Sequence, residues 1–416
     1  MEPLRILLVL TTSTGGVGTH VASLAERYAA AGHTVGIIGA PETDAHFGFT
    51  RGARGRIKFV PVEFRSSLGL RDTATVRRLS WLVSTFRADV VHAHGFRAGL
   101  AVLSAIARIA PAERPASVVS WHNRAMATGA RGLAEKAVET LVARGADLTI
   151  GASEDLVDEA RAFGARNAVF APVAAPRAQT NDDVNAALLR SRLTRELDLP
   201  RDAQILLSVG RVAPQKNYRM LLEALAELAP DHPRLHALIA GSADPVELER
   251  IAAYARPRRL PVHMLGQRSD VGDLLRAADL FVLTSEWEAR ALVVQEAMAA
   301  GTPIVATAVG GLPGLLGDAG VLVPRGDSAA LAAGLRRLLD DPDERVSLGS
   351  RAALRSRDLP DEDAVAQTLL AHCRDVLAGR RTDRGTPPSS SQGASSPPDR
   401  ARPWRRVMLT RHVRPQ

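Results

Sequence analysis

The chain has 416 residues, long enough that two domains are expected rather than one core. A single cysteine, Cys373, excludes an internal disulfide, and average apolar content with few aromatics fits an α/β protein of a reducing cytosol. The formal charge of +8 is concentrated, since residues 380–416 hold nine arginines against two aspartates and residues 51–87 hold nine basic against two acidic side chains. Two local patches on an otherwise slightly acidic chain speak against nucleic-acid binding, which spreads cations along a groove.

The opening MEPLRILLVLTTSTGG reads as a strand rather than a secretion signal, and no uncharged run approaches the length of a bilayer span. The expected location is the cytoplasm, with any membrane contact peripheral, at the inner face. Strands are predicted at Arg5–Leu10, Thr34–Gly39, Ile57–Pro61, Asp89–His92, Ser117–Trp121, Leu148–Gly151 and Asn167–Phe170. Helical patterns between them include His20–Ala31, Asp72–Phe86, Arg131–Ala143 and Glu154–Phe163. This βα repetition implies a doubly wound parallel sheet over residues 1–172, with helices on both faces.

The first loop, TTSTGGVGT at 11–19, uses Gly15, Gly16 and Gly18 to let backbone approach a ligand before a helix expected near His20. It lacks the G-x-G-x-x-G spacing and the acidic residue closing the second strand, which disfavours a nicotinamide or flavin oxidoreductase. His92 and His94 in VVHAHG, and His122 in VVSWHN, sit at strand ends. The first two share a strand face with no third ligand nearby in sequence, so no zinc site is expected.

Residues 173–203, with APVAAPRAQTNDD and a short charged helix, form the expected linker. A second alternating series fills 204–360, with strands such as Gln204–Val209, Leu235–Ala240, Val262–Leu265, Leu280–Leu283 and Val321–Val323. Its helical patterns include Asn217–Leu228, Pro245–Ala255 and Ala329–Asp340, and a last one covers Asp363–Leu377. Beyond 379, Pro, Ser, Gly and Arg dominate, which predicts a disordered basic tail to residue 416.

Two stretches of the second half carry chemistry. In VGRVAPQKN, Arg211 at a strand end and Lys216 at the next helix start can neutralise a departing diphosphate. A Walker A loop is excluded by Gln215 and Asn217. Only three of the 53 basic residues are lysines (Lys58, Lys136 and Lys216), so a lysine at this place signals a need for a compact ammonium. In ADLFVLTSEWEARALVVQEAMAAGTPIVATAVGGLPG, Glu288 and Glu296 bracket a strand-to-helix turn. The first helix amides, at Leu292 and Val293, have no partner inside the helix and point at an anion. Carboxylates for sugar hydroxyls and free amides for phosphate together suit a nucleotide-sugar.

SEWEARALVVQEAMAAGTPIVATAVGGLP resembles the E-x7-E signature of family 4 retaining glycosyltransferases, and GRVAPQK resembles their G-R-x-x-x-x-K pattern. The likeness covers about residues 1–378. It implies the GT-B fold, in which two Rossmann-like domains face a cleft and a last helix, here 361–378, crosses back to the first domain. It implies transfer of a sugar from a UDP- or GDP-sugar to an acceptor, with configuration retained and with neither metal nor cofactor. It also places Gly15 and Gly16 near the donor phosphates, His122 against the transferred sugar, Arg268 of MLGQRSDV beside the base, and Gly310 and Gly311 near the leaving phosphates. The sequence departs from the family at Ala289 and Ala291, where glycine or proline is usual, and at Gly314, where an acid is usual. Ala171–Pro176 also replaces the usual Pro-Asn-Gly-Val-Asp. These alanines motivate an alternative, a catalytically impaired GT-B protein that binds nucleotide-sugar without transfer. The acceptor, whether carbohydrate, lipid or small molecule, is not written in the residues.

Overall fold

The structure is a computed structural model that describes residues 2–13, 15–49, 57–64, 73–175 and 185–383, the last three as backbone only. The first half runs Arg5–Leu10 (β1), Gly16–Ala30 (α1), Thr34–Gly39 (β2), Pro41–Phe47 (α2), Ile57–Pro61 (β3), Thr73–Phe86 (α3), Val90–His94 (β4), Phe96–Ile106 (α4), Ala116–Trp121 (β5), Gly129–Gly145 (α5), Leu148–Gly151 (β6), Glu154–Ala162 (α6) and Ala168–Phe170 (β7). The second runs Ala186–Glu196 (α7), Gln204–Val209 (β8), Tyr218–Leu228 (α8), Leu235–Ala240 (β9), Pro245–Ala255 (α9), Val262–Gly266 (β10), Val271–Ala277 (α10), Leu280–Leu283 (β11), Leu292–Ala299 (α11), Ile304–Thr307 (β12), Leu312–Leu316 (α12), Val321–Val323 (β13), Ser328–Asp340 (α13), Pro342–Ser356 (α14) and Glu362–Asp383 (α15).

Seven strands form one sheet in the order β3-β2-β1-β4-β5-β6-β7, and six form another in the order β10-β9-β8-β11-β12-β13. Every pairing within both sheets is parallel. Parallel sheets covered on both faces need strands that are apolar throughout, and Ile6, Leu7, Leu8 and Val9 of β1 are all fully buried. The strand order reverses between β1 and β4 and again between β8 and β11, which opens a crevice beyond the carboxyl ends at each place.

Several elements differ from the sequence reading. Helix α1 starts at Gly16 rather than near His20, so Gly16 and Gly18 belong to its first turn. Low helix propensity is overridden there by packing: a Cβ on Gly18 would lie 2.0 Å from Phe47 Cε2, and the Gly18 amide donates to Ser13 Oγ at 3.0 Å. Helix α7, read as part of the linker, buries Leu189 and Leu193 in the core of the second sheet. Helix α15 lies on the first sheet, where Val365, Leu369 and Cys373 share a core with Ile6, Tyr28 and Leu148. Arg27 of α1 fixes its start through Glu362 and Asp363, at 2.9 and 2.8 Å. It runs to Asp383, past the expected end at 378, because Arg380 still finds Asp147 at 3.0 Å. The rest of the expected disordered tail, from 384, lies outside the described residues, as do Arg51, Arg54, Arg56, Arg65 and Arg71 of the other basic patch. Among the described residues no helix is long and apolar enough to cross a membrane.

The sheets meet through the loop after β11. Trp287, 5% exposed, packs into the core of the first sheet with Trp121 and Leu156, and its Nε1 donates to Asp155 Oδ2 at 2.8 Å. Gln295 Nε2 donates to the Val173 carbonyl at 3.0 Å. Trp287→Ala empties the place where the two halves join, and the expected loss of unfolding free energy is about 3 to 5 kcal/mol. Denaturant unfolding checks this, and a loss below about 1 kcal/mol would show that Trp287 does not join the halves.

Candidate active site

Two loops leave the carboxyl ends of the neighbouring strands β8 and β11 and are bonded to each other along their length. Lys216 Nζ donates to Glu288 Oε1 at 2.6 Å, and Ser285 Oγ donates to the same oxygen at 2.7 Å. Around this pair, Gln215 Nε2 donates to the Trp287 carbonyl, the Glu286 amide to the Gln215 carbonyl, and Thr284 Oγ1 to the Lys216 carbonyl, each at 2.8 Å. Lys216 reaches across the strand end over Gly210, where a Cβ would stand 2.9 Å from Lys216 Cε.

These loops and the start of α1 enclose a cavity of about 920 Å³, within the ~300–1,000 Å³ usual for small-molecule sites. From the first sheet it is lined by Gly15, Gly16, His94 and His122. From the second it is lined by Arg211, Lys216, Arg268, Glu288, Leu292, Val293 and Glu296. Two helix N-termini face it, those of α1 and α11, and neither has a side-chain cap or an acidic residue in its first turn. Among the described residues nothing accepts from the amides of Gly16, Val17, Leu292 or Val293. The two ends approach closely, since a Cβ on Gly16 would lie 3.2 Å from Leu292 Cδ1. The positive ends of two helix dipoles therefore converge on one hollow.

Not every residue singled out in the sequence is free to act. Arg268 is bound by Asp270 Oδ1 and Oδ2 at 2.8 and 2.6 Å and by Glu196 Oε1 at 2.5 Å, so it frames the cavity as a neutralised group. Those two carboxylates hold its pKa above the ordinary arginine value. Gly310 and Gly311, expected near the leaving phosphates, stand behind the site instead. The Gly311 amide donates to the Glu288 carbonyl at 2.9 Å, and Gly310, at φ +52°, would put a Cβ 2.0 Å from that carbonyl oxygen. Ala289 and Ala291 are each 5% exposed, packed into the cores of the first and second sheets respectively. Neither needs a positive φ, so alanine meets no backbone strain where the family has glycine. Burial pushes the Glu296 carboxyl above its ordinary pKa.

Two features went unread in the sequence. Arg290, between the two glutamates, also lines the cavity. Beneath the first-sheet side, His20 from α1 joins His92, His94 and His122 in one cluster. His94 stacks on His92 and His122 with centroids 4.2 and 5.4 Å apart, and His20 meets His94 and His122 edge-on at 5.8 and 5.7 Å. His94 Nδ1 and His122 Nε2 lie 3.1 Å apart, and His92 Nε2 lies 2.7 Å from Ser120 Oγ. No group of three or more such side chains is placed to hold a metal ion among the described residues. Burial drives all four imidazoles below their ordinary pKa, His92 to about 3 and His122 to about 4, so the cluster is neutral at pH 7. The unfolded chain takes up these protons near pH ~6.5 and the native one does not, so acid removes stability from about pH 6.5 down toward 3, where His92 titrates in the native chain. Denaturant midpoints measured across that range are expected to fall steeply, and less steeply in His92→Asn. Equal slopes in the two proteins would show that the cluster does not carry the effect.

Known proteins resemble both halves. The family model described as glycosyl transferases group 1 matches residues 190–355, and the glycosyl transferase 4-like domain matches residues 15–176. A D-inositol 3-phosphate glycosyltransferase of Xylanimonas cellulosilytica is 34% identical over 298 residues, covering 68% of this chain and 70% of that protein. Its namesake in Kineococcus radiotolerans is 34% identical over 228 residues, 48% of this chain and 50% of the relative. The chain spans about half the length of several such curated relatives. HepE of Anabaena, solved in complex with UDP, superposes with a TM-score of 0.73 at 20% identity over 89% of this chain and 99% of that one. Sucrose-phosphate synthase of Thermosynechococcus elongatus gives 0.73 at 22%, over 90% and 100%. With the two-sheet architecture and both family regions in place, the chain belongs to the group 1, family 4-like glycosyl transferases of GT-B fold.

Proposed function

We propose that the protein is a metal-independent, retaining glycosyltransferase of the cytoplasm that moves a hexosyl group from a UDP- or GDP-sugar to an acceptor hydroxyl. The observation that carries this reading is the convergence of Arg211, Lys216 and two uncapped helix N-termini on one cavity. A diphosphate is the leaving group that such an electropositive hollow favours. In the reaction the bond from the anomeric carbon to the phosphate oxygen breaks, and the acceptor oxygen bonds that carbon on the same face. The acceptor proton passes to the departing phosphate oxygen, while Arg211, Lys216 and the amides of Leu292 and Val293 take up the developing charge. Glu288 holds sugar hydroxyls in an orientation set by Ser285 and Lys216, Glu296 holds the ribose, and His122 faces the sugar from the other sheet. Inositol phosphate, named for the relatives, is the first acceptor to assay.

Removing a preorganised cation that faces the charge developing on the leaving group costs about 100-fold or more in turnover. Arg211→Ala and Lys216→Ala are each expected to show that loss with whichever nucleotide-sugar the wild type uses, and turnover within a few-fold of wild type would contradict the roles given. A second outcome concerns pH. Ribose hydroxyls donate to an ionised carboxylate, so bound donor lowers the raised pKa of Glu296 and binding releases a proton. Donor affinity is expected to rise as pH climbs through that pKa, and Glu296→Gln is expected to abolish the rise. Calorimetry in buffers of different ionisation heat reads both the affinity and the proton.

A further inference from the structure

Arg290 is a cation that nothing in the described protein neutralises. It stands two residues beyond Glu288 and lines the cavity. Its Nε is sealed from solvent with no acceptor, and it makes no hydrogen bond or ion pair among the described residues. The charge that acts on it is of the same sign: Arg355 of α14, whose own guanidinium is committed to the carbonyls of Leu315 and Gly314 at 2.8 and 2.9 Å. Burial, with Arg355, brings its pKa down to about 10, so it remains charged at neutral pH. It also directly precedes Ala291, the residue that opens α11 without a side-chain cap, where the helix dipole is positive.

Burial, a like charge and the wrong end of a dipole each oppose a cation at this place. The neighbouring cations do not share the problem, since Lys216 has Glu288 and Arg268 has Asp270 and Glu196. An anion entering the cavity beside the free amides of Leu292 and Val293 would offset all three costs. We propose that Arg290 seats an oxyanion carried by the donor, either the phosphate next to the sugar or a carboxylate on the sugar itself. The guanidinium fork matches both, and the assignment rests on the nucleotide-sugar reading above.

The test measures calorimetric affinities of UDP, UDP-glucose and UDP-glucuronate, with GDP and GDP-mannose in parallel, for wild type, Arg290→Gln and Arg290→Lys. Losing a charge-assisted bond is expected to weaken the seated ligand about 10- to 100-fold in the Gln variant, with the Lys variant intermediate. A loss shared by every ligand, UDP included, puts the phosphate in the seat, whereas a loss confined to UDP-glucuronate puts the sugar carboxylate there. The ligand-free Gln variant is expected to melt above wild type, because an opposed charge has gone, and a lower melting temperature overturns the claim that Arg290 is uncompensated. Unchanged affinities with the ligands still bound overturn the seat and leave the donor site standing. Failure of wild type to bind any of the nucleotides overturns both.

Discussion

The ion pair between Lys216 and Glu288, 2.6 Å long with side chains 17% and 12% exposed, ties together loops from neighbouring strands β8 and β11. Its environment is dry enough that losing one partner strands the other, which makes the pair a constraint rather than a surface ornament. Hydrogen bonds between residues 215–216 and 284–287, two from side chains and one along the backbone, then fix both loops as one body. Glu288 cannot shift without disturbing Trp287, which is anchored in the opposite half. The Glu288 carboxylate is thus placed by a salt link on one side and by a buried aromatic ring on the other.

The same geometry explains why the cavity is electropositive although the charges around it are nearly matched. Arg268 is matched by two carboxylates and Lys216 by one, so what remains in the lining is Arg211 and Arg290 against Glu296, together with two helix N-termini. Such a site is held ready at a cost in the empty protein, which the proposed anionic ligand would offset. Two members of the neutral histidine cluster, His94 and His122, face this hollow from the other sheet. Their imidazoles offer hydrogen bonds there without adding charge at neutral pH.

Much of this was legible in the residues. Strands such as Arg5–Leu10 and Gln204–Val209 have the bounds predicted, because a strand buried on both faces must be a continuous apolar run stopped by polar or glycine residues. Lys216 stood out because lysine is rare in an arginine-rich chain, and Arg290 was hidden for the same reason. The histidine cluster draws on α1, β4 and the end of β5, and no local spacing reports that three separate segments touch. The glycines of the first loop read as loop from propensity, whereas Gly16 and Gly18 open a helix, with Gly18 packed on the ring of Phe47, some thirty residues away. Trp287 carries no local signal of its anchoring role, since its partner Asp155 is 132 residues distant.

Amide hydrogen exchange with and without a bound UDP- or GDP-sugar asks where the donor sits. A donor held between the two sheets slows exchange together at residues 15–19, 209–217 and 288–296, three segments that only the cleft brings side by side. Protection limited to the loops of one sheet, or found on outer helices away from this cavity, would contradict the site described.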